Sequence, residues 1–258
     1  MGKKRGGDID DLDFEEELST FEKYVQSTFA EFAGTFFYTF IACLAVTSQD
    51  VLSIAFAEGL AIALLCSAFL NISGGLFNPA LTFAVALSGG INPFVAVLYF
   101  IGQVSGGLAG AAFVKAVLSQ DSYYDIQGGA NMFRGNVPFD KYDSDHTLEV
   151  TTGTAVIIEC MLSIFIYMAY LQSNLDPKSK QVTGPLAYGF AVVVAILTAY
   201  HTSGASFNPA RSFGPACVAY FWEDHYIYWA GPFIGGLLAG VFYRLVLGDS
   251  SKRLIMKN

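Results

Sequence analysis

The chain has 258 residues, with 22 Asp and Glu against 14 Lys and Arg, for a formal net charge of −8. Only 14% of residues are charged, where a soluble domain carries about 25%. Hydrophobic residues reach 53% and mean hydropathy is +0.47, so the charge is too scarce to cover a water-soluble surface. The acidic balance argues against nucleic acid as a partner, and an aromatic content of 15% argues against general disorder. The class predicted is an integral membrane protein.

Residues 1–23 are polar and hold eight acids, which reads as a solvated acidic tail. Its Lys3-Lys4-Arg5 leads into acids rather than into an apolar run, so it is no cleavable signal. Ser19 and Glu22 have capping-box spacing and predict a helix start. Six apolar stretches follow, near 24–47, 51–70, 93–118, 152–172, 184–201 and 226–248. Most are about 20 residues long, enough to cross roughly 30 Å of hydrocarbon as helix. Two shorter apolar pieces run from Asn78 to about Ser88 and from Asn208 to about Tyr220. Each is too short to span, and each opens Asn-Pro-Ala, an N-cap followed by a first-turn proline. They read as half-helices that begin inside the membrane, where irregular backbone must line a cavity or pack in protein.

The chain repeats itself. Ala30-Glu31-Phe32 matches Ile158-Glu159-Cys160 at an offset of 128. Glu58-Gly59-Leu60-Ala61 matches Tyr188-Gly189-Phe190-Ala191, and Ser73 to Ala80 matches Ser203 to Ala210, both at 130. Gly106-Gly107 matches Gly235-Gly236. Three spans per repeat is an odd number, so the second copy is inverted and the two half-helix N-termini meet near the midplane. The chain divides into an acidic cytoplasmic tail (1–23), a first repeat (24–118), an extracellular loop (119–149), a second repeat (150–248) and a C-terminal cytoplasmic tail (249–258). That sidedness follows from Lys3, Lys4, Arg5, Lys23, Lys178, Lys180, Lys252, Arg253 and Lys257, which all fall on one side and make it cytoplasmic. The net charge sits in two appendages: the tail and the 119–149 loop each carry −4.

Two Asn-Pro-Ala boxes in inverted repeats, a glutamate in the first span of each repeat, and Arg211 directly after the second box are specific together. Over about residues 24–248 the chain resembles the aquaporin (major intrinsic protein) family. The resemblance implies an all-α membrane bundle of six transmembrane helices plus two re-entrant half-helices. It also implies a homotetramer in the lipid bilayer with one pore per subunit and no cofactor or metal. The pore is expected to conduct water, and possible wider cargo is small neutral solutes.

Half-helix N-termini each carry about +0.5 charge, so two aimed at one spot make the midplane electropositive. Asn78 and Asn208 are expected there, each offering an amide donor that interrupts proton hopping. Arg211 is a lone cation at membrane depth, which marks a pathway. By spacing from the boxes, the resemblance implies a selectivity filter of Glu58, Ile196, Ala205 and Arg211. Glu58 departs from the family pattern: a carboxylate there pairs with Arg211 and narrows or plugs the pore, or else turns away into the bundle. Ser212 and Tyr228-Trp229 resemble the water-type signature, whereas Ile196 with a small residue at 205 resembles more permissive vacuolar and ammonia-conducting branches. Glu31 and Glu159 are expected to accept N–H bonds from the loops that carry the boxes, with Gln103 in the same supporting role. His201 is read as a solvated loop histidine, the Asn71-Ile72-Ser73 sequon as unused, and no enzyme is indicated. The competing functions are a pore for ammonia or glycerol, a gated or closed pore with a scaffolding role, and, last, a secondary transporter.

Overall fold

A computed structural model describes residues 18–133, 135–140, 143–250 and 253–254, with backbone alone for 136–140 and 143–148. Most of the tail acids lie outside the described residues. So do Lys3, Lys4, Arg5, Arg134, Lys141, Lys252 and Lys257, and the side chain of His146.

The capping box is in place: the Ser19 N–H donates to Glu22 Oε2 at 2.8 Å and the Glu22 N–H to Ser19 Oγ at 3.2 Å. A π-helical turn, Phe21–Gln26, then runs into α1, Ser27–Ala45. Helix α2 spans Val51–Ser73, capped by Asp50, and the half-helix α3 spans Pro79–Leu87. Helix α4, Pro93–Val117, closes the first repeat. The connection holds a short helix α5, Gln120–Asp125, and strands β1, Asn136–Asp140, and β2, Asp143–Glu149. Helices α6 (Thr152–Tyr170), α7 (Gly184–Ala199), the half-helix α8 (Pro209–Ala219) and α9 (Ile227–Phe242) form the second repeat. Among the described residues, five helical segments are long and apolar enough to cross a membrane. Helix α7 is shorter, at 16 residues or about 24 Å.

The all-helical bundle agrees with the reading of the sequence; the hairpin is an addition to it. Strands β1 and β2 pair antiparallel with Asn136 opposite Glu149. The 119–149 stretch has only short apolar alternations, such as Val137 and Phe139, too brief to announce strands. Pairing two polar segments is a local way to satisfy backbone groups that no helix takes up.

Packing follows the duplication. Helix α1 packs on α4 as α6 packs on α9, the half-helix α8 lies on α4 as α3 lies on α9, and α2 crosses α7. Small residues permit those crossings. A Cβ on Gly59 would meet the Gly189 carbonyl at 2.6 Å, and one on Gly236 would meet the carbonyl of Ala80, in the other half-helix, at 2.6 Å.

Candidate pore and filter

The segments Ser73–Ala80 and Ser203–Ala210 have the same backbone. Gly74 and Gly204 both have φ +92°, Gly75 and Ala205 have +65° and +52°, and Phe77 and Phe207 have +51° and +55°. Left-handed φ is unusual for phenylalanine and alanine and costs about 1–2 kcal/mol each. Something must hold it.

A buried carboxylate does so in each repeat. Glu31 Oε1 accepts from Ser73 Oγ at 2.6 Å and from the Leu76 N–H at 3.0 Å, and Oε2 accepts from the Phe77 N–H at 2.6 Å. Glu159 repeats this with Ser203 Oγ at 2.6 Å, the Ser206 N–H at 3.0 Å and the Phe207 N–H at 2.7 Å. Charge-assisted bonds of this kind are each worth about 1.5–3 kcal/mol. Gln103 on α4 adds a donor to Glu31 Oε2 at 2.7 Å and to Thr82 Oγ1 at 2.8 Å.

Each loop ends at an asparagine that does two jobs. Asn78 Oδ1 accepts from the N–H groups of Ala80 and Leu81 at 3.0 and 3.3 Å, and Asn208 Oδ1 from those of Ala210 and Arg211 at the same distances. These are N-caps with proline next in line. The amide nitrogens reach across the pseudo-twofold axis: Asn78 Nδ2 donates to the Phe207 carbonyl at 2.9 Å, and Asn208 Nδ2 to the Phe77 carbonyl at 2.8 Å. An amide nitrogen has two hydrogens. One is used on the other repeat. The second on Asn78 points towards Tyr167 Oη at a long 3.4 Å. Both asparagines line a narrow cavity, with Tyr38, Ile166, Tyr188 and Val192 among its walls.

A second narrow cavity is lined by Glu58, Ile196, Ala205 and Arg211 together. Residues from α2, α7, the second re-entrant loop and α8 thus share one cavity. Glu58 faces Arg211: Arg211 Nη2 donates to Oε1 at 3.0 Å, and Nε lies 3.5 Å from Oε2. Both residues are 2% exposed.

Four participants were not legible. Tyr38 on α1 donates its hydroxyl to Glu58 Oε2 at 3.0 Å. The Gly129 carbonyl accepts from Arg211 Nη1 at 2.8 Å. Asn131 donates to the Gly204 carbonyl at 2.9 Å and accepts from Ser212 Oγ at 2.6 Å, and that hydroxyl also pairs with Ser206. Tyr188 donates to the Leu76 carbonyl at 3.1 Å. Tyr188 did carry a signal, since it stands where the repeat puts Glu58. Gly129 and Asn131 belong to the non-repeated connection and carried none. Outside this region, the four cysteines are free and His201 is exposed. Ser73 of the sequon is buried against Glu31.

The comparisons with known proteins agree with this geometry. A family model described as Major intrinsic protein matches residues 17–243. Aquaporin-8 of Notomys alexis is 36% identical over 245 residues, covering 93% of this chain and 89% of that protein. Aquaporin PIP2-1 of Arabidopsis thaliana is 33% identical over 255 residues, covering 89% and 84%. The X-ray structure of the aquaglyceroporin from Plasmodium falciparum aligns with a TM-score of 0.66 at 17% identity, over 87% of this chain and 97% of that one. With that match and the duplicated fold together, the chain belongs to the major intrinsic protein family, the aquaporins, and is a membrane channel rather than an enzyme.

Proposed function

We propose that the chain conducts water passively, in single file, and excludes protons and ions. The observation that carries this reading is the pair of midplane asparagines. Each is fixed by its own half-helix and by the other repeat, so its amide geometry is set before a water arrives. A water oxygen that accepts from these amides turns its own hydrogens away along the file, and the chain of donors needed for proton hopping breaks there. Two half-helix N-termini at the same depth repel cations. Glu31, Glu159 and Gln103 hold the loops that aim the asparagines, and Glu58, Ile196, Ala205 and Arg211 form the filter. The termini lie in the cytoplasm with the 119–149 connection outside, the domain boundaries are those of the repeat, and four copies assemble.

A second reading is a wider cargo of small neutral solutes. Ile196 and Ala205 favour it, because one wall of the filter is apolar and another is a single methyl group. The names Aquaporin-8 and aquaglyceroporin among the relatives fit either cargo.

The test is stopped-flow light scattering on proteoliposomes challenged with sucrose, glycerol and an ammonium gradient, with a trapped pH dye. Water relaxation well above that of empty liposomes, with no added proton leak, is expected. A volume response in none of the three would refute conduction and leave a closed pore with a scaffolding role.

A further inference from the structure

Tyr38 carries a hydroxyl that bonds neither the midplane asparagines nor the re-entrant loops but Glu58. It lies 2% exposed on α1, and its ring lines the midplane cavity. Its hydroxyl reaches a residue of the other cavity, Glu58, at 3.0 Å. From there the bonds continue from Glu58 to Arg211 and from Arg211 to the Gly129 carbonyl. One end of this chain rests on α1 and the other on the 119–149 connection.

Glu58 Oε1 is held at 3.0 Å by Arg211 Nη2. Among the described residues, Oε2 has only the long 3.5 Å contact with Nε besides the Tyr38 hydroxyl. Without that hydroxyl, Oε2 keeps no short bond. A carboxylate oxygen so released can regain a partner by turning into the cavity it lines, towards water. It would then occupy the lumen beside Ile196 and Ala205, and Arg211 would follow its partner.

We propose that Tyr38 is a positioning residue for the filter: its hydroxyl holds Glu58 against Arg211 and keeps the carboxylate out of the lumen. This rests on the reading of the two cavities as one water path. Glu58 then neither plugs the pore nor acts as a free anion in it. It sets the filter as a neutral pair whose open walls are Ile196 and Ala205.

The test is a double-mutant cycle on the full-length protein in proteoliposomes: wild type, Tyr38→Phe, Glu58→Ala and the two combined. Phenylalanine keeps the ring and removes only the hydroxyl. Tyr38→Phe is expected to lower water permeability per channel at least threefold while leaving the thermal unfolding profile near wild type. In the Glu58→Ala background the same change is expected to alter permeability less than 1.5-fold. An equal effect in both backgrounds, or none in either, overturns the proposal, because ring packing alone would then account for Tyr38. Should Glu58→Ala fail to fold with an unpaired Arg211, Glu58→Met, which keeps the side-chain length and removes both oxygens, takes its place in the cycle. A second readout does not depend on conduction: solid-state NMR of the Arg211 side-chain nitrogens. Nε and Nη2 are expected to shift in Tyr38→Phe, and unshifted resonances would overturn the proposal. If wild-type vesicles conduct no water, the functional reading fails while this spectrum still decides the role of Tyr38.

Discussion

Replacing Glu159 with Gln probes how the re-entrant loops are held. The two bonds to Oε1, from Ser203 Oγ and the Ser206 N–H, find an oxygen still present. The third, from the Phe207 N–H at 2.7 Å, meets an NH2 group instead. One charge-assisted bond is lost, worth about 1.5–3 kcal/mol, and a buried N–H is orphaned at about 1–3 kcal/mol. The expected cost is about 2.5–6 kcal/mol. For a chain of this size that lowers the unfolding midpoint by roughly 5–24 °C. Phe207 also sits at φ +55°, and its carbonyl accepts from both Asn78 and Tyr167. Loosening it therefore disturbs the other repeat, and water permeability should fall along with stability. Thermal unfolding of the purified protein in detergent, followed by tryptophan fluorescence, measures the first effect, with the exposed Glu223→Gln as control. A Glu159→Gln midpoint within 2 °C of the control would refute the reasoning.

Glu31→Gln should cost at least as much by the same assay, because Glu31 carries the Gln103 bond in addition to three matching ones. Gly189→Val should abolish the close α2–α7 crossing, since a Cβ there meets the Gly59 carbonyl and Ala63. Overpacking of this kind costs about 1–3 kcal/mol or blocks assembly of the bundle, which yield and size-exclusion profile would register. His225 sits half-buried at the foot of α9, where Trp229 Nε1–H donates to its Nε2 at 3.0 Å. Burial holds its pKa below the usual imidazole value of 6.5. A depressed folded pKa means the unfolded chain binds the proton first. Stability from this site is therefore complete above the unfolded value and declines as pH falls below it, and an NMR titration midpoint at or above 6.5 would contradict this. Asp176 ties the end of α6 to the end of α9, accepting from Tyr243 Oη at 2.9 Å and from the Asp249 N–H at 2.7 Å. Burial raises its pKa, but these bonds and the N–H groups of Ser179 and Lys178 outweigh that and hold it below 3.8. Its stabilisation is present above the unfolded value and is lost as pH falls through the folded one. Asp176→Asn keeps Oδ1 for the Lys178 and Ser179 N–H groups but puts an NH2 where Oδ2 accepts from Asp249, so it should speed amide exchange at Asp249 at neutral pH.

What could be read from the sequence was what the sequence states twice. The half-helices at Asn78 and Asn208 follow from a cap, a proline and a length too short to span. The roles expected of Glu31 and Glu159 rest on their shared place in the repeat, and the distances around them agree. The Glu58–Arg211 pair was one of two outcomes left open, because helix register alone does not say which way a carboxylate turns. Tyr38, Gly129 and Asn131 act through contacts between segments far apart in the chain, and no local pattern records such contacts. The hairpin at 136–149 was missed because polar strands with so brief an alternation look like any loop.

The proposed filter lies where the repeat breaks. At the midplane the two halves agree, asparagine for asparagine and phenylalanine for phenylalanine, and the cross-bonds have nearly equal lengths, 2.9 and 2.8 Å. Away from it, the offset of 130 pairs Glu58 with Tyr188, Ile196 with Cys66, Ala205 with Gly75 and Arg211 with Leu81. The Glu58 and Arg211 positions thus hold a buried ion pair, while their equivalents and those of Ile196 and Ala205 in the other repeat are a phenol, a thiol, a glycine and an apolar chain. Near them Tyr188 bonds to the Leu76 carbonyl and Tyr170 to the Gly74 carbonyl, which ties down backbone instead of offering charge. An ion barrier built on half-helix dipoles needs symmetry, since both N-termini must reach one depth. Discrimination among neutral solutes needs only one narrow, chemically distinct ring. Substitutions at Cys66 or Leu81 should therefore alter stability more than selectivity, while substitutions at Ile196 or Ala205 should do the reverse.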